Sequence, residues 1–186
     1  MRRLVEETRK VAIGRAEDKA TYLGPVIDGR AVARYQDAVA KARRDGRVLV
    51  GGGLPKTATK GHFVEPTIVD GLPKDHELAK TELFLPILCV FTVDSFDEAL
   101  QEVNATDYGL TGGVFSEDPS EVQRYFDAAE VGVVYANRRK SANTGALVHG
   151  QPFGGWKWSG TTGKAAGGAH YLPQFMHEQS RTVVRE

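Results

Sequence analysis

The 186-residue chain contains a single cysteine, so no disulfide can close within it, and its five histidines are scattered without any zinc-type Cys/His spacing. A reduced, intracellular protein without a metal site is expected. Net charge is missing as well. Lysine plus arginine balance aspartate plus glutamate at 24 each, which leaves no overall field to draw nucleic acid or an anionic membrane. The local basic candidates are Arg43, Arg44 and Arg47, and Arg138, Arg139 and Lys140; runs this short read as solvated faces or loops. No apolar run approaches the ~20 residues of a spanning helix. The first residues, Met1-Arg2-Arg3-Leu4-Val5-Glu6-Glu7, never reach the apolar stretch of a secretory leader. These absences predict a cytoplasmic protein with neither nucleic acid nor a membrane as partner.

The familiar phosphate-binding motifs are also absent. Gly51-Gly52-Gly53-Leu54-Pro55-Lys56-Thr57 places proline where a P-loop needs glycine before lysine, and Gly163-Lys164 is followed by alanine. No GxGxxG follows a strand, so no dinucleotide-binding first turn is encoded. The lone thiol, Cys89, lies inside the apolar run Ile87 to Val93 with no histidine near it in sequence. It reads as a small buried hydrophobe, because a nucleophilic cysteine needs exposure and an activating neighbour. Neither a thiol nucleophile nor an NTPase loop is therefore expected.

What the sequence does contain is a strand and helix rhythm. Apolar residues at helical spacing predict helices over residues 2–13 and from Asp28 to Gly46, the second opened by an N-cap aspartate and closed by glycine. Arg47 to Val50 reads as a strand, residues 62–69 as extended chain bent at Pro66, and Ile87 to Val93 as a strand buried on both faces. Ser95-Phe96-Asp97-Glu98 is a capping box opening a helix to about Asn104. A strand over residues 110–115, a helix begun by Asp118-Pro119 and a strand over residues 131–135 follow. Such alternation implies an α/β fold, a parallel sheet with helices on both faces. Length suggests one compact unit. Residues 137–168 read as a long loop, functional or disordered, and Phe175 to Val184 as an edge strand or an arm that pairs with another chain.

Five pieces stand in order: Leu23-Gly24-Pro25-Val26-Ile27, Gly61-His62-Phe63-Val64-Glu65-Pro66-Thr67, Glu82-Leu83-Phe84-Leu85-Pro86, Tyr108 to Phe115, and Gln151-Pro152-Phe153-Gly154-Gly155. Together they resemble the C-terminal part of the aldehyde dehydrogenase superfamily over essentially the whole chain. The stretch Thr144 to Val148, with Ser159-Gly160-Thr161, resembles its pyrroline-5-carboxylate (glutamate semialdehyde) dehydrogenase branch. The resemblance implies a partial catalytic domain over residues 1–172 and a C-terminal oligomerisation arm over 173–186. Glu82 matches the glutamate that binds the nicotinamide ribose, a task suited to a carboxylate with several lone pairs, and Phe84 the aromatic beside the nicotinamide. Gly145 and Ala146 match the loop whose backbone amides hold a substrate carboxylate, and Phe153 the wall of the aldehyde site. Asn137 matches a structural asparagine after the last sheet strand, and Arg34 a cation near the adenine ribose. Two departures stand out: Leu85 replaces the family's glycine, and the connection over Arg138 to Asn143 is longer than usual.

In the family, a cysteine thiolate attacks the aldehyde, hydride leaves to NAD or NADP, and a glutamate-activated water hydrolyses the thioester. The resemblance places the thiolate, the glutamate base and the dinucleotide-binding domain upstream of Met1. The expectation is therefore a fragment of an enzyme of proline catabolism that is inactive and binds cofactor negligibly alone. Its implied partners are a small aldehyde, and either the N-terminal half of an aldehyde dehydrogenase or further copies of itself. The alternative is a non-catalytic chain that docks onto full-length subunits through its terminal strand. Either way, apolar surfaces shaped for absent polypeptide predict self-association or a marginal fold.

Overall fold

The computed structural model describes residues 1–57, 60–138, 150–160 and 164–185. The chain is α/β. Where length suggested one compact unit, the contacts divide it into two, Met1–Thr92 and Val93–Glu186.

The first unit contains α1 (Arg2–Arg9), α2 (Gly29–Asp45), β1 (Arg47–Val50), β2 (Thr67–Asp70), α3 (Glu77–Lys80) and β3 (Ile87–Val90). Asp28 caps α2 by accepting the Ala31 N–H at 2.8 Å, which satisfies one of the donors a helix start leaves unpaired. Gly46 ends the helix for lack of room rather than for a left-handed turn. A β-carbon there would meet the Asp70 carbonyl oxygen and the Leu72 side chain at 2.8 Å. The strands are ordered β1-β2-β3, β1 antiparallel to β2 and β2 parallel to β3. Ala38 and Ala42 of α2 pack with Val69, Leu72 and Leu78, while Tyr35 and Val39 pack with Val64. α1 stops short of the expected 2–13, and Ile13 bridges Leu23 instead. β3 is not buried on both faces as expected: Ile87 and Cys89 pack on the core, but Leu88 is 48% exposed. The reason is that β3 is an edge strand of the sheet.

The second unit contains α4 (Phe96–Asn104), β4 (Tyr108–Gly109), β5 (Thr111–Val114), α5 (Pro119–Ala128), β6 (Val133–Ala136), β7 (Trp156–Lys157) and a 3-10 turn at Leu172–Phe175. Ser95 Oγ accepts the Glu98 N–H at 3.1 Å and the Glu98 carboxylate accepts the Asp94 N–H at 2.8 Å. Asp118 caps α5, with Pro119 in its first turn. β5 and β6, joined through α5, run parallel, as do β2 and β3 around α3. β4 and β7 pair antiparallel. Tyr125, Ala129 and Val131 form the core, covered by Phe96, Leu100 and Val103 of α4 and by Val114 and Val134 of the strands.

Asn137 closes the β5–β6 pair. Its backbone is left-handed at φ 53°, which asparagine tolerates better than most residues. Its side-chain amide accepts the Ser116 N–H at 3.1 Å and donates to the Ser116 carbonyl at 2.8 Å. This is the structural role expected of it. Residues 176–185 form no ladder with the described strands of this chain.

Candidate cofactor and substrate loops

The segment between α3 and β3 alternates inward and outward. Leu83 packs on the cluster around Ala42 and Val69, and Leu85 on the cluster of Tyr35, Val39 and Val64. Glu82 and Phe84, between and beside these anchors, are exposed, Phe84 by 86%. The alternation is not that of a plain strand, because Phe84 sits at φ 58°. A left-handed backbone costs a non-glycine residue of order ~1 kcal/mol and persists only where its surroundings over-determine it. Here the next residues are tied down on both sides of the proline: the Ile87 N–H donates to the Leu85 carbonyl at 2.8 Å, and the Thr67 N–H to that of Pro86 at 2.9 Å. One loop thus presents a carboxylate and an unobstructed aromatic face. Both fit a nicotinamide nucleoside, the carboxylate for vicinal hydroxyls and the ring for a flat heterocycle.

Beneath this loop lies a polar node that sequence reading missed. The Tyr35 hydroxyl is 2.6 Å from Thr67 Oγ1 and 2.7 Å from the Glu65 carbonyl. The Gly52 N–H donates to both hydroxyl oxygens, at 3.1 Å and 2.9 Å. Burial pushes the Tyr35 hydroxyl above the ordinary tyrosine value, so it stays neutral. Gly51 and Gly52, at φ 77° and 84°, bring the loop onto the node; Gly-Gly-Gly was the only sequence signal, and it pointed to no partner. The node fixes the start of β2, where the Thr67 N–H holds the Pro86 carbonyl of the Phe84 loop. Arg34, the weaker cofactor candidate, is exposed on α2.

In the second unit Phe153 is half-buried. It pairs with Ala166 through two backbone hydrogen bonds, Phe153 N–H to the Ala166 carbonyl at 2.7 Å and Ala166 N–H to the Phe153 carbonyl at 3.0 Å. Phe153 lines a cleft of about 600 Å³ together with Gly132, Gly154, Trp156, Lys164 and His170. Gly132 is required there, since a β-carbon would fall 1.8 Å from the Gly154 carbonyl oxygen. Gly145 and Ala146, with the rest of the stretch Thr144 to Val148, lie outside the described residues. Lys157 is a second feature the sequence did not reveal. At φ 51°, it reaches the Asn104 and Thr106 carbonyls at 2.6 and 3.1 Å and the Glu130 carboxylate at 2.7 Å, pinning β7 to the end of α4.

Cys89 and the first basic cluster are structural, while Arg139 and Lys140 of the second basic cluster lie outside the described residues. Cys89 Sγ lies 3.6 Å from the Leu78 carbonyl, and burial raises its pKa, which keeps it a thiol. Arg43 donates to the Gly52 carbonyl, Arg44 pairs with Asp45, and Arg47 grips Asp70 through two hydrogen bonds of 2.9 and 2.7 Å. That basic cluster is engaged within the unit. Among the described residues no group of three or more His, Cys, Asp or Glu side chains could hold a metal ion, and no helix is long and apolar enough to cross a membrane.

This scaffold and these loops define a class. The aldehyde dehydrogenase family pattern matches residues 1–181, and the chain belongs to that family. Within it the chain is similar to the 1-pyrroline-5-carboxylate dehydrogenase of Bacillus licheniformis, 38% identical over 183 residues, which make up 98% of this chain and 34% of that protein. Among solved structures, the Thermus 1-pyrroline-5-carboxylate dehydrogenase with bound NAD matches 94% of this chain and 32% of its own at a TM-score of 0.83 and 35% identity. Proline utilization A of Bdellovibrio bacteriovorus, inactivated by N-propargylglycine, matches 95% and 18% at a TM-score of 0.85 and 40% identity. The chain therefore spans about a third of the length of the curated relatives it matches.

Proposed function

We propose that this chain supplies the nicotinamide-facing and substrate-facing loops of an NAD- or NADP-dependent aldehyde dehydrogenase that oxidises glutamate semialdehyde to glutamate in the cytoplasm. The observation that carries the reading is the loop in which Glu82 and Phe84 are both presented outward, Phe84 on a left-handed backbone. The dinucleotide, when bound, supplies the hydride acceptor. Glu82 accepts hydrogen bonds from the ribose hydroxyls, and the Phe84 ring limits where the nicotinamide can lie. Phe153 walls the aldehyde chain, and the Gly145 and Ala146 amides receive the substrate carboxylate. Residues 1–172 form the partial catalytic domain in this reading. Residues 173–186 form an oligomerisation arm, with Met176, Val183 and Val184 exposed for a second chain.

The thiolate and the general base are not assigned to any residue of this chain, so the purified 186-residue protein is expected to show no NAD-dependent oxidation of glutamate semialdehyde. Co-expressed with the first two-thirds of the Bacillus licheniformis relative, it is expected to give turnover that falls about tenfold in Glu82→Gln, the value of one weakened charge-assisted hydrogen bond of roughly 1.4 kcal/mol. Turnover by the isolated chain, or a co-purified pair indifferent to Glu82→Gln, would refute the assignment.

A further inference from the structure

The loop that carries Phe84 is anchored by its neighbours on both sides. Leu85 stands where the family resemblance leads one to expect glycine. Its side chain is not idle: it packs on the buried cluster of Tyr35, Val39 and Val64, next to Ile87. Leu83, on the other side of Phe84, packs on the separate cluster of Ala38, Ala42, Val69, Leu72 and Leu78. Phe84 thus spans two side chains held in two different clusters, followed by a proline whose carbonyl is bonded to Thr67. Its own side chain is almost wholly in solvent, so ring packing does not explain its left-handed backbone at φ 58°. The strain is imposed from the flanks, as sparsely populated backbone conformations must be.

We propose that Leu85 is a positioning residue: anchored on the Tyr35–Val39–Val64 cluster, it holds the Phe84 backbone in the left-handed region and thereby aims the Phe84 ring. The proposal rests on the reading of Phe84 as the aromatic beside the nicotinamide only for its functional meaning. The mechanical claim concerns this chain alone. A glycine at position 85 would leave the turn free to relax, because it has no side chain to seat in the core and the widest backbone freedom. The leucine replaces that freedom with a fixed geometry.

A double-substitution cycle on the full chain tests it, read by thermal unfolding and by NMR. With Leu85 in place, Phe84→Gly removes enforced strain at an exposed position and is expected to raise Tm by about 1–3 °C. In the Leu85→Ala background the same change is expected to leave Tm unchanged or to lower it, since only the flexibility of glycine remains. The spectroscopic signature is the strong intraresidue amide to α-proton NOE of Phe84 that a positive φ produces. It is expected to vanish in Leu85→Ala and to survive in Leu85→Met, which refills the same space. Additive Tm changes, or an unchanged Phe84 NOE in Leu85→Ala, would overturn the proposal. If Leu85→Ala does not fold, Leu85→Val replaces it, with a weakened NOE expected and an unweakened one contradicting. None of these readouts involves cofactor, so a failure of the nicotinamide assignment is recognised separately, by turnover indifferent to Glu82→Gln.

Discussion

The two units solve the problem of a small core differently. In Met1–Thr92 a long capped helix lays Ala31, Tyr35, Ala38, Val39 and Ala42 on a three-stranded sheet whose middle strand is buried from Thr67 to Val69. A hydrogen-bonded node around Tyr35 ties the strands to the glycine loop. Among the described residues of Val93–Glu186 the strands form two separate two-stranded pairs, and the buried apolar residues are Tyr125, Ala129, Val131 and Val133. Its strand ends are held instead by single polar side chains, Asn137 on Ser116 and Lys157 on Asn104, Thr106 and Glu130. The lesson is that, among the described residues, the first unit buries more apolar side chains, while the second adds individual polar clamps to a smaller core. Buried area resists local opening better than isolated hydrogen bonds do.

The strongest test of this contrast uses the two tryptophans, Trp156 and Trp158, both in the second unit. In urea, tryptophan fluorescence is expected to report a lower midpoint than far-UV circular dichroism, which sees both units. Tyr35→Ala should then remove about 3–5 kcal/mol from the first unit, moving the dichroism transition and sparing the fluorescence one. Equal movement of both signals would show a single cooperative unit and end the comparison. Smaller, and confined to the second unit, is Asn137→Ala. It removes both hydrogen bonds to the Ser116 backbone and puts alanine at positive φ, for a loss of roughly 2 kcal/mol; Asn137→Gly should cost less, and an equal cost would mean that backbone strain is irrelevant there. Smaller again is the matched pair Asp28→Ala and Ser95→Ala, one helix cap in each unit, expected to cost about 1 kcal/mol each. A cap that matters in only one unit would reveal a helix whose packing alone holds it.

The smallest effect is a pH dependence of the first unit. Arg44, and then His76, hold the Asp45 carboxyl down at about 2. The His76 Nδ1 accepts the Leu78 N–H at 3.2 Å, which leaves Nε2 to donate to Asp45 at 3.1 Å. A carboxylate whose folded-state pKa is depressed stabilises the fold fully above the ordinary aspartate value near ~4, and that stabilisation is lost as the pH falls through about 2. Acid unfolding followed by dichroism should therefore be shallower in Asp45→Asn. An identical acid limb in the variant would remove Asp45 from the account.

Much of the local structure was legible from residue chemistry. Asp28, Ser95 and Asp118-Pro119 each start a helix where an N-cap oxygen can meet an orphan N–H. Glu82 and Phe84 were singled out through resemblance alone, and the structure presents both outward. Gly145 and Ala146 lie outside the described residues. What could not be read was whatever depends on atoms far apart in sequence. Nothing in Trp156-Lys157-Trp158 announces a strand, because the pairing partner of β7 is Tyr108 and Gly109. Leu88 looked like core until the strand order put β3 at an edge.

By itself the sequence determined the α/β alternation, the capped starts of α2, α4 and α5 and the absence of a charge field, since periodicity, capping and composition act through neighbours along the chain. Only the tertiary structure decided that Phe84 is left-handed, that Leu85 is an anchor and that Tyr35 is a polar node. Each of these is a contest between backbone preference and burial, and its outcome depends on which distant side chains close around the residue.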